Sequence, residues 1–506
     1  MSMLDTMLDA FSMVAQWSSI LALAVGVAVG VICGAIPGMS ATMAVALTLP
    51  FTFALEPVVG ILLLLGVYKG GVFGGSIPAI LIKTPGTPAS SATILDGYPM
   101  ADKGQAGKAL GMALYASCTA DIISNLSLIM FAGWLASFAM SFGPPEYFTL
   151  MVFSLMIIAG ISGEHLMKGL FSAALGLLLA TVGLDLVYGT DRFTMGSVDL
   201  MSGLNFIVVL IGLFALPEII AFALNPSDDN GKVRQLGSNL VSLQEYKRCF
   251  RSICRGSFIG VVLGAIPGIG AAPAAFLSYS EAKRKSCNKQ NFGKGEIEGV
   301  AAAEAGNNGV CGSTLIPLLA LGIPGDVITA IIIGAFMIHG IQPGPMLFET
   351  NGSLVYALFM GLLLSSFFLF FIGGFSIRIF RFVADVPKSI LMPAVLVLCV
   401  YGAYAVNNSM FDIVVMFVLG LLGYLFLRLD VPSAPFLIAF ILSPLLEDNF
   451  RQSMLMSNGD FGILFRGVIT WVFWSLTALT VFFLVKSHFC GKSKKKGGTT
   501  VASSLQ

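Results

Sequence analysis

Long apolar runs, each close to twenty residues, follow one another along most of the chain and are separated by short polar segments. Clear examples are Ile20 to Ile36, Leu354 to Ile372, Leu391 to Val406 and Gly467 to Val485. Roughly 20 apolar residues carry a helix across the hydrocarbon core of a bilayer. Lipid cannot hydrogen-bond to backbone N–H and C=O groups, so an apolar segment in the bilayer must satisfy them within a helix. The runs therefore predict an all-α polytopic membrane protein with about ten to twelve passages.

Composition supports this prediction and excludes other classes. The chain has 506 residues, of which 56% are hydrophobic and 11% are charged, whereas a soluble domain carries roughly 25% charged residues. A surface with so little charge must be covered largely by the lipid bilayer. The net charge of +1 gives no field that would attract nucleic acid, so no nucleic-acid partner is expected. The sequence also predicts no cofactor.

The chain repeats itself. Gly30-Val-Ile-Cys-Gly-Ala-Ile-Pro-Gly38 matches Gly260-Val-Val-Leu-Gly-Ala-Ile-Pro-Gly268 at an offset of 230 residues (260 minus 30). Further on, Ile77 to Gly86 matches Ile316 to Gly325 at an offset of 239 (317 minus 78). Such a duplication is typical of transporters. It predicts four segments: a first membrane repeat over 1–225, a basic cytoplasmic linker over 226–255, a second membrane repeat over 256–486 and a basic polar tail over 487–506.

The loop charges indicate that the two repeats are inverted. The loop Glu281 to Glu296 carries five basic residues, while its counterpart Phe53 to Pro57 carries only Glu56. Lys and Arg concentrate in cytoplasmic loops, so equivalent loops are expected on opposite sides of the membrane. The linker and the tail are both basic, which leaves the side of the tail open.

Proline and glycine interrupt both repeats in the middle of apolar segments. The Ile-Pro-Gly turns at Pro37 and Pro267 predict re-entrant hairpins, and the Pro-Gly turns at Pro85 and Pro324 predict broken helices. Breaks of this kind are tolerated where they line a cavity, and half-helix N-termini can bind anions there. We expect the four tips to face one another and form one substrate site. Its predicted residues are Pro37, Gly38, Met39, Ser40, Gly75, Ser76, Thr84, Gly86, Thr87, Gly268, Gly270, Asn308, Ser313, Thr314 and Gly325.

Other polar residues near the breaks are candidates for binding a coupling cation. Oxygen-bearing side chains suit a dehydrated sodium ion, and the predicted ligands are Thr42, Asn307, Asn308 and Asp326. Glu304 and Asp326 could hold the cation or cap half-helices. Lys69 and Lys83 could attract an anionic substrate or extend to the membrane interface. The small residues could equally serve close helix packing.

Several longer motifs resemble the large membrane subunit of tripartite tricarboxylate transporters. They include Gly74-Gly-Ser-Ile-Pro78, Lys83-Thr-Pro-Gly-Thr-Pro-Ala-Ser90, Glu304-Ala-Gly-Asn-Asn308 and Leu321-Gly-Ile-Pro-Gly-Asp326. The resemblance implies uptake of a di- or tricarboxylate, citrate-like, across the bacterial inner membrane. It also implies coupling to an ion gradient, sodium above all, and two partners: a small membrane subunit and a periplasmic substrate-binding protein.

We expect a transporter, with an elevator-type transport unit that moves against a scaffold of the remaining helices. Two alternatives are an intramembrane enzyme and an ion channel. An aspartyl protease needs a second carboxylate opposite Asp326, and the first repeat has Thr87 at the corresponding position. A channel differs from a carrier in that it does not accumulate its substrate against a gradient.

Overall fold

The computed structural model describes residues 3–160, 166–185, 189–224, 241–384 and 388–497. Part of the predicted linker, 226–240, and the last residues of the predicted tail, 498–506, lie outside these ranges. The described chain is helical almost throughout, which confirms the all-α prediction. One short antiparallel pair, β1 and β2, is the exception among the described residues; it joins Gly183–Leu184 to Asp191–Arg192.

The described residues up to Ala180 form nine helices. They are α1 (Met3–Ala15), α2 (Trp17–Ala35), α3 (Ala41–Thr48), α4 (Pro57–Gly74), α5 (Ser76–Ile82), α6 (Ser90–Asp102), α7 (Ala106–Ala139), α8 (Pro144–Gly160) and α9 (Leu166–Ala180). A 3-10 turn, Leu49–Ala54, follows α3. After the strand pair come two short apolar helices, α10 (Phe206–Phe214) and α11 (Leu216–Leu224).

The second part of the chain also contains long and short helices. It comprises α12 (Leu243–Gly264), α13 (Ala271–Lys285), α14 (Ile297–Ser313), α15 (Leu315–Leu321), α16 (Val327–Ile338), α17 (Leu347–Thr350), α18 (Gly352–Ala384), α19 (Lys388–Asn407), α20 (Met410–Arg428), α21 (Ser433–Met456) and α22 (Val468–Gly497). Two further 3-10 turns are Lys289–Asn291 and Phe461–Phe465. Helix α12 begins inside the segment predicted as a linker, and α22 continues into the segment predicted as a polar tail.

Seven helical segments of the described chain are long and apolar enough to cross a membrane by themselves. Five shorter apolar helices of 10–17 residues accompany them. The protein is therefore a multi-pass membrane protein. Some of its short helices end at a Pro-Gly turn, as α15 does before Gly322 and Pro324, because proline lacks the N–H that the helix needs and clashes with the preceding turn.

Helix breaks recur at corresponding places in the two repeats. Helices α5 and α15 both end at a residue in the left-handed conformation, Lys83 with φ 62° and Gly322 with φ 72°. The next N–H then bonds back to a proline carbonyl, Thr84 to Pro78 at 3.3 Å and Ile323 to Pro317 at 3.2 Å. The duplication seen in the sequence is thus a duplication of local backbone structure.

Glycines on α2 and α12 let each helix lie directly against the backbone of its neighbour. A Cβ added at Gly30 would overlap the Val67 carbonyl oxygen of α4, and one at Gly260 would lie 2.7 Å from the Gly306 carbonyl oxygen of α14. Val67 and Gly306 correspond at the offset of 239 (306 minus 67). Close backbone approach through small residues is the usual packing of membrane helices, and both repeats use the same contact.

The helices form two compact units. The first contains Met1–Met140 and Asn205–Tyr424, and the second contains Ser141–Leu204 and Leu425–Gln506. Each unit takes segments from both repeats. In the first unit, α7 packs against α12, α14 and α18, around a core that includes Phe73, Leu110 and Leu369. In the second unit, α21 packs against α8 and α9, and Arg451 pairs with Asp185 at 2.6 Å.

The predicted hairpins at Pro37 and Pro267 have arms of unequal length. Helix α2 has 19 residues and α12 has 22, whereas α3 has 8 and α13 has 15. A helix of 19 residues is about 28 Å long. The arm before each turn, α2 or α12, is therefore long enough to cross the membrane and is not the expected half-helix. The re-entrant placement of the turns, the inversion of the repeats and the elevator-type movement stay predictions.

Candidate functional site

The breaks of the first repeat meet one another. Gly75 joins α4 to α5, and its carbonyl oxygen accepts a hydrogen bond from the Gly86 N–H at 3.1 Å. A side chain at Gly86 would overlap the Gly34 carbonyl oxygen near the end of α2. The turn before Pro37, the α4–α5 joint and the Pro-Gly turn at Gly86 therefore form one cluster, which we call the first break cluster.

The breaks of the second repeat form a corresponding cluster. The Gly268 N–H, in the turn after α12, donates to the Gly325 carbonyl oxygen at 2.7 Å. A Cβ on Gly325 would lie 2.7 Å from the Thr314 carbonyl oxygen at the α14–α15 joint. The Ser313 hydroxyl donates to the Gly309 carbonyl oxygen at 3.2 Å. We call this arrangement of Gly268, Ser313, Thr314 and Gly325 the second break cluster.

Each cluster contacts the other repeat at a polar side chain. The Ser76 hydroxyl of the first cluster donates to Glu304 of α14 at 2.6 Å. Tyr68 of α4 donates to Asp326 at 3.0 Å and lies 3.3 Å from the Thr314 hydroxyl. Because Glu304 and Thr314 are ten residues apart (314 minus 304), these contacts lie about 15 Å apart along α14. The structure thus has two linked clusters where the sequence analysis expected one meeting point of four tips.

Glu304 lies in the middle of a fully buried polar group. Its carboxylate accepts hydrogen bonds from the hydroxyls of Ser76, Thr93 and Ser117, the last at 3.1 Å. The Asn308 amide lies 3.4 Å from the same carboxylate and donates to Ser117 at 2.7 Å. All the donors are neutral and come from both repeats. Four helices, α5, α6, α7 and α14, are therefore joined at one carboxylate.

A chain of hydroxyls links this carboxylate to a more accessible position. The hydroxyls of Ser76 and Ser90 lie 3.3 Å apart, and those of Ser90 and Thr87 lie 2.8 Å apart. Ser76 and Ser90 are buried, whereas Thr87 is partly exposed. Hydroxyl groups both donate and accept, so the chain provides a continuous polar route from the first break cluster to Glu304.

Asn307 stands out among the predicted cation ligands. Its side chain is fully buried, and its Oδ1 has no hydrogen-bond partner. An unsatisfied buried amide is costly, and such groups in a native fold call for an explanation. Asn307 lies three residues after Glu304, on the same side of α14. The structure thus places an amide oxygen that has no hydrogen-bond partner next to a buried carboxylate.

Asp326 caps helix α16. Its carboxylate accepts from the Thr329 N–H at 2.7 Å, and the Thr329 hydroxyl accepts from the Asp326 N–H at 2.8 Å. This reciprocal arrangement satisfies the free donors of the helix end. The capping alternative is the one observed, and a negative side chain already occupies this helix N-terminus. The α16 tip therefore differs from the others and does not offer the expected site for an anion.

The remaining predicted residues divide by exposure. Gly38 and Thr84 are exposed, and Pro37, Ser40, Thr42, Thr87, Gly268 and Gly270 are partly exposed, while Met39, Gly75, Gly86 and Gly325 are buried. The Ser40 hydroxyl caps α3 by accepting from the Met43 N–H at 3.1 Å. By contrast, α13 begins after Gly270, with φ 68°, and has no side-chain cap. Of the two helices that follow the Ile-Pro-Gly turns, α13 is thus the one whose N-terminal N–H groups have no side-chain cap.

Lys69 contradicts both roles considered from the sequence. It is fully buried and pairs with Asp121 of α7 at 2.9 Å. Its ammonium also donates to Asn125 Oδ1 at 2.9 Å and to the Leu362 carbonyl oxygen at 3.2 Å, which uses all three donors of the group. It therefore neither extends to the interface nor is free for a substrate. The sequence analysis missed Asp121, although an aspartate inside an apolar helix is itself a signal.

Lys83 is exposed and ends helix α5. Its ammonium lies 5.7 Å from the centre of the Tyr98 ring, a distance at which a cation is attracted to the face of an aromatic ring. This lysine is therefore positioned at the rim of the first break cluster. The predicted substrate and cation residues stay predictions, now with defined positions in the two clusters.

Comparisons with known proteins give one matching family model and two similar proteins. A family model described as "Tripartite tricarboxylate transporter TctA family" matches residues 20–438. An "Uncharacterized 52.8 kDa protein in TAR-I ttuC' 3'region" of Agrobacterium vitis is 38% identical over 419 residues, which are 83% of this chain and 84% of that protein. An "Uncharacterized protein in TAR-II ttuC' 3'region" from the same organism is 38% identical over 201 residues, 40% of this chain and 83% of that protein. No solved structure matches the chain.

Proposed function

Because the chain belongs to the tripartite tricarboxylate transporter TctA family, a family of transporters and not of enzymes, we propose that it takes up a di- or tricarboxylate by symport with cations, sodium above all. As the large membrane subunit, it would work in the bacterial inner membrane with a small membrane subunit. A periplasmic binding protein would deliver the carboxylate.

The observation that carries this proposal is the pair of break clusters. Each places interrupted helices, exposed or partly exposed backbone and short hydroxyl side chains at one point inside an apolar chain. The open N-terminus of α13 after Gly270 offers N–H groups and the positive end of a helix dipole, which favour a carboxylate. Thr84 and Thr87 are accessible donors at the first cluster. Transporters commonly bind substrate at such interrupted helices.

Electrostatics explain why cations would accompany the substrate. A carboxylate with two or three negative charges that enters against an inside-negative potential costs about 2.3 kcal/mol per charge per 100 mV. At least as many cations must enter with it to offset this cost. Symport is therefore the mode of transport that fits a polyvalent anion, with the break-bearing helices moving against the others to alternate access.

The test is uptake of radiolabelled citrate into proteoliposomes that hold the complete transporter, with its binding protein added outside. We expect saturable accumulation when sodium is high outside, and no accumulation when the sodium and proton gradients are both removed. Thr87→Val should raise the KM, because it removes an accessible hydroxyl from the first cluster. The matched control, Thr350→Val, changes an exposed hydroxyl on α17 and should leave uptake unchanged.

Two results would contradict the proposal. One is accumulation that continues undiminished without either gradient, because the energy source would then be another. The other is rapid, non-saturating flux that only equilibrates the substrate, which is the behaviour of a channel.

A further inference from the structure

Glu304 is a buried carboxylate without a cationic partner among the described residues. Its side chain is fully buried, and the salt bridges of the described chain do not include it. Its hydrogen bonds come from the neutral groups of Ser76, Thr93, Ser117 and Asn308. A buried charge is costly unless it is paired, and an ionisable residue inside a membrane protein is by default a candidate functional site.

The first repeat shows how the same protein neutralises a buried carboxylate permanently. Asp121 is paired with Lys69, and both lie in the core of the first unit. Lys69 corresponds to Asn308 at the offset of 239 (308 minus 69). The first repeat thus has a lysine ammonium at the position where the second repeat has the neutral amide of Asn308, next to Glu304. The second repeat lacks a built-in countercharge at this point.

The groups around Glu304 are suited to a small hard cation. Ser76, Thr93 and Ser117 each bring a hydroxyl oxygen to the carboxylate. A hydroxyl that donates its proton to the carboxylate still has lone pairs for a cation. Hard cations prefer such oxygen ligands. Asn307 adds an amide oxygen that is fully buried and without a hydrogen-bond partner.

We propose that Glu304, Ser76, Thr93, Ser117 and the Asn307 amide oxygen form a binding site for one dehydrated sodium ion. The ion would neutralise Glu304 and satisfy the free amide oxygen of Asn307. The hydroxyls of Thr87 and Ser90 connect the site to the first break cluster. This inference rests on the proposed function in one respect: the bound sodium ion is taken to be the ion that is transported with the carboxylate.

The site also links cation binding to the two repeats. Ser76, Thr93 and Ser117 belong to the first repeat, and Glu304 and Asn307 belong to the second. A bound sodium ion therefore holds α5, α6 and α7 to α14, and its release leaves an uncompensated charge between them. Asp326, which the sequence analysis favoured as a cation ligand, already caps α16 and is not part of this site.

The experiment measures sodium binding to the purified complex without any carboxylate. We expect sodium chloride, compared with choline chloride at equal ionic strength, to raise the melting temperature of the wild type and to support saturable binding of radioactive sodium. Glu304→Gln, which keeps the shape but removes the charge, should abolish both effects. Thr93→Val and Ser117→Ala should each weaken sodium affinity by on the order of tenfold, because each removes one ligand oxygen from a buried ion.

Two matched variants sharpen the result. Glu298→Gln makes the same change at the other end of α14, where the carboxylate accepts from Ser252 and Ser286, and should keep the wild-type sodium response. Asp326→Asn tests the rival position and should also keep it. If Glu304→Gln does not fold, Thr93→Val and Ser117→Ala decide the question.

The inference is overturned if a folded Glu304→Gln, or both hydroxyl variants, bind sodium as the wild type does. It is also overturned if the wild type responds to pH and not to sodium, since a proton would then occupy Glu304. Because no carboxylate is present, these results are independent of the transported substrate. Failure of citrate uptake with intact sodium binding would count against the proposed function alone.

Discussion

At the scale of single residues, the buried ion pair of Lys69 and Asp121 connects several helices in the core of the first unit. Both side chains are 1% exposed, and their atoms are 2.9 Å apart. The Asp121 carboxylate also accepts from Ser366, and Asn125 bridges to the Leu362 carbonyl oxygen at 3.0 Å. Helices α4, α7 and α18 are thus tied together by one ion pair, whose partners depend on each other.

Lys69→Met should destabilise the protein strongly. It leaves Asp121 buried without its countercharge, and breaking a buried pair in this way costs about 3–5 kcal/mol. We expect a large fall in the melting temperature of the purified protein. Lys83→Met is the matched control, because Lys83 is exposed and exposed substitutions usually change stability by less than about 0.5 kcal/mol.

The double variant Lys69→Met with Asp121→Asn tests the reason for the loss. Without a charge on either side, most of the lost stability should return. A double variant that is as unstable as Lys69→Met with Asp121 intact would show that lost packing, and not the unpaired carboxylate, is responsible.

At the scale of elements, glycines determine how closely α2 approaches α4 and α12 approaches α14. We call each of these two contacts a seam. Gly26, Gly30 and Gly34 face the backbone of α4, and Gly256, Gly260 and Gly264 face that of α14. The two sets correspond at the offset of 230. Their four-residue spacing places them on one side of each helix. The seam thus brings the end of α2 next to the α4–α5 joint.

Gly30→Ala should disrupt the first seam. The added methyl group would overlap the Val67 carbonyl oxygen, and a backbone atom cannot move aside as a flexible side chain can. We expect a clear loss of thermal stability and of carboxylate uptake, because the separation also displaces the first break cluster.

Gly133→Ala is the control for this prediction. Gly133 lies in α7 with nothing within 4 Å of an added Cβ, and alanine favours a helix over glycine by up to about 1 kcal/mol. This variant should be as stable as the wild type or more so. Equal melting temperatures for Gly30→Ala and Gly133→Ala would show that the seam is not tight.

At the scale of the whole molecule, the inverted arrangement predicts that corresponding loops lie on opposite sides of the membrane. The loop between α13 and α14 contains Cys287, which is exposed, and it follows the basic last turn of α13 with Lys283, Arg284 and Lys285. Its counterpart before α4 contains the exposed Glu56. Since basic loops are cytoplasmic, Cys287 should be on the cytoplasmic side and position 56 on the periplasmic side.

Labelling with a membrane-impermeant maleimide measures this arrangement. In a Cys490→Ser background, Cys287 should react in inside-out vesicles and not in intact spheroplasts, and Cys287→Ser should remove the signal. A cysteine introduced at Glu56 of the protein that carries Cys287→Ser and Cys490→Ser should react in spheroplasts. Labelling of both positions from the same side would exclude inverted repeats.

The sequence by itself determined the helical, multi-pass character, the duplication and the positions of the Pro-Gly breaks. These features depend on local chemistry: apolar runs of membrane length, a repeated string, and proline or glycine where a helix must end. Gly86, Gly268 and Gly325 all lie at breaks in the structure, as their turns predicted. The family motifs were likewise readable along the chain.

Only the tertiary structure decided which polar groups meet. Lys69 and Asp121 are 52 residues apart, and Ser76 and Glu304 are 228 apart, so nothing in their local sequence shows that they touch. The same holds for Tyr68 and Asp326, and for the separation of the breaks into two clusters. The role of a charged side chain inside a membrane depends on the partner that the folded helices bring to it. In that low-dielectric setting, the free-energy cost of burying an unpaired charge exceeds that of a paired one by several kcal/mol.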